Sequence, residues 1–86
     1  YYIEAAGNYL KLFTANGMIL HRQTIKEFIE LLPDSFFIRT HKSYVVNIEH
    51  ISRIEVSQLT LDNQKIPLSP NFKPEVWNKL GINEVK

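Results

Sequence analysis

Between the apolar runs Phe36–Ile38 and Tyr44–Val46 lie five polar residues in a row, Arg39-Thr40-His41-Lys42-Ser43. They supply a guanidinium, two hydroxyls, an imidazole and an ammonium. His41 and Ser43 are two apart, so an extended backbone puts them on one face. A nucleophilic serine needs more than that. It needs a carboxylate to orient the imidazole and an oxyanion hole, and neither is legible near this pair. The plainer reading is a turn in which both side chains bond to backbone. His21, His41 and His50 have no compact ligand spacing, so a metal site gains little support. The three glycines, Gly7, Gly17 and Gly81, are scattered as turn or cap residues and build no phosphate loop. The chain has no cysteine, which excludes disulfides, thiolate sites and a cysteine nucleophile. We expect no enzyme activity, no metal and no cofactor.

What remains is contact chemistry. Arg39, His41, Lys42 and Ser43 place four donors within five residues. Asn8, Tyr9 and Lys11 form a second polar group, and Asn71 and Lys73 a third, after Pro70. Each group alone reads as a solvated surface. Brought together by a compact fold, they would suit phosphate positioning plus base-edge contact on nucleic acid. Composition limits that idea. The chain has 86 residues and a formal charge of only +1, so a nucleic-acid face would have to concentrate its cations. An apolar fraction of 44% fits one globular domain, and no apolar run nears the roughly 18 residues of a membrane helix. The first residue is Tyr1 rather than methionine, from which we expect a fragment of a longer chain.

The elements that must hold these groups are mostly strands. Residues 1–20 read as strand, turn, strand, turn, strand, with Gly7-Asn8 and Asn16-Gly17 as turn signals. Tyr9-Leu10-Lys11-Leu12-Phe13 alternates, so Tyr9, Lys11 and Phe13 share a face opposite Leu10 and Leu12. Thr24 and Glu27 make a capping-box pattern. Ile25, Phe28, Ile29 and Leu32 follow as one stripe, which predicts a helix over 25–32 stopped by Pro33 and Asp34. Further strands are expected at Phe36–Ile38, Tyr44–Val46, His50–Val56 and around an Asp62-Asn63-Gln64 turn. Phe72, Val76 and Leu80 have helical spacing, with Pro74 in the first turn and Gly81 as the stop. Trp77 reads as a packing residue that clamps the tail.

The run Phe37-Ile38-Arg39-Thr40-His41-Lys42-Ser43-Tyr44-Val45-Val46-Asn47 closely resembles the signature of LytTR DNA-binding domains. That signature is an aromatic, Arg, a spacer, His, a basic or polar residue, Ser, an aromatic, two apolar positions and Asn. The resemblance extends to the opening Ile3-Glu4-Ala5 strand with its Gly7-Asn8-Tyr9 turn, and to the closing segment Ile66-Pro67-Leu68-Ser69. Nearly the whole chain is covered, in order. The resemblance implies a mainly β fold of short antiparallel sheets in a layered, elongated arrangement, with one or two short helices. It implies one domain over 1–86, the C-terminal part of a cytoplasmic bacterial response regulator, behind a receiver domain. It implies sequence-specific binding of double-stranded promoter DNA through loops, two copies occupying paired direct repeats. Residue by residue, the contacts map to His41, Lys42 and Ser43, with Lys42 foremost, and to the Asn8-Tyr9 region, which Lys11 joins as a candidate from the residue pattern, while Asn71 and Lys73 follow the place of the family's C-terminal contact.

One departure stands out. The family's usual Arg after the Pro-x-Ser segment is replaced here by Pro70 and Asn71. Asn can pair bidentately with adenine, so Asn71 is its candidate substitute, with Lys73 beside it. The same departure and the low charge support the alternative of a protein–protein or dimerisation module with weak DNA affinity. Within the signature, Arg39 and Thr40 read as partly structural, because a planar guanidinium can tie several carbonyls together. Asn47 reads as closing a turn on its own backbone.

Overall fold

The computed structural model describes residues 1–33, 35–61 and 63–81. Two tight turns lay down its first three strands, β1 (Tyr2–Ala6), β2 (Tyr9–Thr14) and β3 (Gly17–Arg22). The first turn is Gly7-Asn8, closed by Ala6 opposite Tyr9, and Gly7 takes the left-handed φ of 63° that such a turn needs. The second turn forms one residue earlier than the Asn16-Gly17 signal suggests. Thr14 pairs with Gly17, which leaves Ala15-Asn16 as the loop. The Thr14 hydroxyl fixes that choice by donating to the Gly17 carbonyl at 2.8 Å and accepting the Asn16 N–H at 3.2 Å.

The capping box exists as read. Thr24 Oγ1 accepts the Glu27 N–H at 3.2 Å, and Glu27 Oε1 accepts the Thr24 N–H at 3.4 Å. The helix it opens, α1 (Ile25–Ile29), is shorter than the expected 25–32. Beyond Ile29 the chain tightens into i→i−3 bonds, Leu31 N–H to Phe28 and Leu32 N–H to Ile29. The reason is Pro33, which disfavours α geometry at the residue before it. The apolar stripe survives this change, with Ile25 buried and Phe28, Ile29 and Leu32 packed against the core. Asp34 and Asp62, named above as stop and turn residues, lie outside the described residues.

After α1 come β4 (Phe37–His41), β5 (Tyr44–Asn47), a 3₁₀ turn at Ile48–His50, β6 (Ile51–Ile54), β7 (Gln58–Leu61), β8 (Gln64–Pro67) and α2 (Lys73–Leu80). His50, expected to begin a strand, belongs instead to the 3₁₀ turn. Asn47 causes it by accepting the Glu49 N–H at 2.9 Å. In α2, Pro74 sits in the first turn and Gly81 closes the helix at a left-handed φ of 73°.

All strand pairing is antiparallel, in a five-stranded sheet ordered β3-β2-β1-β5-β4 and a three-stranded sheet ordered β6-β7-β8. Two cores lie on opposite faces of the larger sheet. Val45, with Ile3, Leu10 and Ile25, forms the one that α1 covers. Val46 and Ile38 join Leu59, Leu61, Ile66, Leu68 and Val76 in the other, roofed by the small sheet and α2. Adjacent residues on a strand face opposite ways, so Val45 and Val46, both fully buried, anchor β5 from both sides. Each such burial is worth about 1.5–3 kcal/mol. Trp77 and Leu80 pack against the second core. The result is layered and elongated, 39 × 24 × 21 Å.

Candidate nucleic-acid interface

The register decides where the polar groups go. Ala6, Tyr9 and Arg22 form the last rung of β1, β2 and β3, next to the Gly7-Asn8 loop. On the other side of β1, Glu4 pairs with Tyr44, and the Ala5 N–H donates to the Ser43 carbonyl at 2.8 Å. The Lys42-Ser43 loop therefore lies at the same end of the sheet as Gly7-Asn8. The third group arrives by a different route. Ser69 N–H donates to the Thr40 carbonyl at 2.8 Å, and the Phe72 ring lies 5.3 Å under the Arg39 guanidinium. This fixes residues 69–73 beside the end of β4. All three polar groups read from the sequence thus meet at one end of the five-stranded sheet.

The signature turn is braced from within. Arg39 pairs with Val45, then the register slips so that His41 faces Tyr44. Thr40 is the extra residue, and it is fully buried. Arg39 folds back along the loop, with Nε donating to the His41 carbonyl at 3.3 Å and Nη2 to the Lys42 carbonyl at 2.6 Å. The guanidinium thus ties two successive carbonyls, as its type and place suggested. His41 is half-buried and edge-on to Tyr44. Its Nδ1 accepts the Ser43 N–H at 3.1 Å, so the neutral ring carries its hydrogen on Nε2. The backbone bond expected for His41 exists, and it uses only one ring nitrogen. Lys42 stands exposed at the tip, its carbonyl held and its ammonium without a partner among the described residues.

The other candidates differ in freedom. Asn8, Tyr9 and Asn71 are exposed. Lys11 lies one same-face rung further in, half-buried and directly across from Glu4. Glu4 in turn faces Tyr44. Burial, then the charge of Glu4 and a hydrogen bond to it, pushes the Tyr44 hydroxyl above its ordinary value of 10.0. Burial and Glu4 raise Tyr2 in the same direction. Lys73 is half-buried, with its ammonium 5.6 Å from the Trp77 ring centroid. It is therefore partly committed to its own helix. Lys79, in the last turn of α2, donates to the Phe37 carbonyl at 3.1 Å and faces away from this end.

Sequence reading overlooked Arg22. It is exposed, it ends β3, and it sits opposite Tyr9 in the last rung. Counting rungs back from the Thr14–Gly17 pair would have found it. With Arg22 included, Lys11, Arg39, Lys42 and Lys73 make five of the chain's ten Lys and Arg residues at this end, where Glu4, Glu27 and Glu75 are among the carboxylates.

This architecture defines a class: a β domain that presents braced loops, rather than a helix, from one end of a twisted sheet. The LytTr DNA-binding domain family matches over residues 1–81. A LytTr DNA-binding domain from Bacillus cereus superposes with a TM-score of 0.84 at 30% identity, covering 93% of this chain and 79% of that one. Sensory transduction protein LytT of Bacillus subtilis is 40% identical over 57 residues, 59% of this chain and 24% of its own. Sensory transduction protein LytT of Enterococcus faecalis is 27% identical over 89 aligned positions, 96% of this chain and 37% of its own. The chain belongs to the LytTr DNA-binding domain family, and its business is DNA binding in regulation. It spans roughly a quarter to a little over a third of the curated relatives' length. Among the described residues no helix is long and apolar enough to cross a membrane.

Proposed function

We propose that this domain binds double-stranded promoter DNA with sequence preference and serves as the cytoplasmic output domain of a two-component response regulator. The observation that carries this reading is the Lys42-Ser43 turn. Arg39 donates to the His41 and Lys42 carbonyls, the Ala5 N–H donates to the Ser43 carbonyl, His41 Nδ1 accepts the Ser43 N–H, and the Lys42 side chain is left exposed on a fixed backbone. Pre-organised donors lose little entropy on binding. Lys42 enters the major groove, with His41 Nε2–H and Ser43 beside it. Asn8, Tyr9 and Lys11 approach from the first hairpin, and Asn71 and Lys73 from the loop before α2. Two copies occupy paired direct repeats, and an upstream receiver domain controls them.

The test uses duplex selected by the domain itself from a random pool, with a scrambled duplex as control. Lys42→Ala should lose about 1–3 kcal/mol on the selected duplex and relax preference at one base pair. Wild-type affinity for both duplexes in a folded Lys42→Ala protein would remove this turn from the reading surface. The protein-docking alternative draws on one observation, the β3 edge strand, which is exposed along its length with Met18, Ile19 and Leu20 at 49%, 54% and 60%.

A further inference from the structure

Arg22 has a rigid backbone and a free head. Its backbone is fixed on one side by pairing with Tyr9. On the other side the chain is fixed immediately after it. His21 Nε2 meets Gln23 Oε1 at 2.8 Å, the His21 ring packs 5.3 Å from Phe28, and Thr24 caps α1. The Arg22 guanidinium itself has no hydrogen-bond or ion-pair partner among the described residues. It shares a sheet face with Tyr9, and Lys11 lies on the same face one same-face rung further in. The strand order puts β3 three strands from β5. At about 4.8 Å per strand, Arg22 lies roughly 14 Å from the base of the Lys42-Ser43 turn.

That separation matches a groove. The major groove of B-DNA is about 12 Å wide, so a residue whose backbone is roughly 14 Å from a side chain inside it lies beyond the groove rim, and its long guanidinium arm reaches back to the phosphates along that rim. We propose that Arg22 is a phosphate clamp at one margin of the DNA site, positioning the duplex so that the Lys42 turn enters in register. The inference rests on the proposed function and extends it to a residue outside the signature. A guanidinium suits the role because it meets phosphate bidentately. A clamp of this kind contributes affinity without base preference and marks where the footprint stops on that side.

The experiment compares wild type, Arg22→Ala, Arg22→Lys and Lys42→Ala on selected and scrambled duplexes, across salt, with a backbone-cleavage footprint and a thermal melt of each protein. Arg22→Ala should melt as wild type does. It should weaken both duplexes by the same factor and reduce the salt slope by about one unit. Between about 50 and 200 mM salt, wild type should then lose ~3-fold more affinity than Arg22→Ala. Protection should shrink at one flank only, and Arg22→Lys should restore most of the slope. Wild-type affinity and slope in Arg22→Ala, while Lys42→Ala still binds poorly, would overturn the clamp and leave the proposed function standing. A changed preference between the two duplexes would overturn it in favour of base reading. A wild-type protein whose binding ignores salt would take down the underlying reading and the clamp together.

Discussion

Thr40 is the residue whose chemistry fits its surroundings least. It is fully buried at the bulge in β4, and its Oγ1 has no hydrogen-bond partner among the described residues. A buried hydroxyl without a partner carries a desolvation cost that nothing returns. Valine has nearly the same shape and no hydroxyl. Thr40→Val should therefore stabilise the fold, by about 1 kcal/mol, read as a higher urea midpoint at unchanged m-value. A lower midpoint would mean that the hydroxyl does satisfy a partner. The sequence made Thr40 legible as structural but hid its orphaned oxygen, because the bulge that buries it comes from register.

Tyr44 supports a pH prediction at the same scale. Burial and Glu4 raise its hydroxyl above the ordinary value, and Tyr2 is raised alongside it. The folded state thus holds these protons more tightly than the unfolded chain does. The stability this gives is complete below about pH 10 and is lost as pH rises through the folded values. Thermal melts from pH 9 upward should show that decline. Tyr44→Phe should make it shallower, and an equally steep decline in the variant would place the alkaline loss on other groups.

At the scale of elements, α1 separates what a sequence pattern can and cannot carry. Its start was legible because a capping box is local: two side chains and two amides within four residues. Its end was less so, because the i→i−3 bonds after Ile29 depend on how Pro33 is accommodated. The buried stripe was legible, while its depth was not. Phe28 is only half-buried, so Phe28→Ala should cost about 2–3 kcal/mol, below the usual 3–5 for a fully buried Phe. Lys26, Glu27 and Glu30 are all exposed, and acidic groups repel phosphate. Lys26→Ala should leave DNA affinity unchanged. A large loss in a protein that still melts normally would put α1 against the duplex. The hairpins teach a related lesson. Each loop's residues were visible, but their meeting at one end follows from the β1–β5 pairing, a contact between residues some 40 apart in the chain. Arg22 was missed because only that assembled end gives it significance.

The whole molecule sets the balance between specific and unspecific binding. A net charge of +1 creates little long-range attraction for a polyanion, so association must rely on the five cations at one end. Not all of them are available. Arg39 is spent on the loop carbonyls, Lys73 leans on Trp77, and Lys11 faces Glu4. Lys42 and Arg22 have no hydrogen-bond or ion-pair partner for their charged heads among the described residues, with Lys11 and Lys73 as partial contributors. One copy should thus neutralise about two to four phosphates, giving a slope of log affinity against log salt of roughly −2 to −4. Scrambled duplex, which offers phosphates alone, should bind weakly at ordinary salt while selected duplex stays bound. The measurement is a titration of one domain on a single half-site over at least four salt concentrations. A slope steeper than about −6 would require more phosphate contacts than this end can supply, and so a second basic surface. A slope near zero would favour an apolar partner at the exposed β3 edge, since burying Met18, Ile19 and Leu20 releases no counterions.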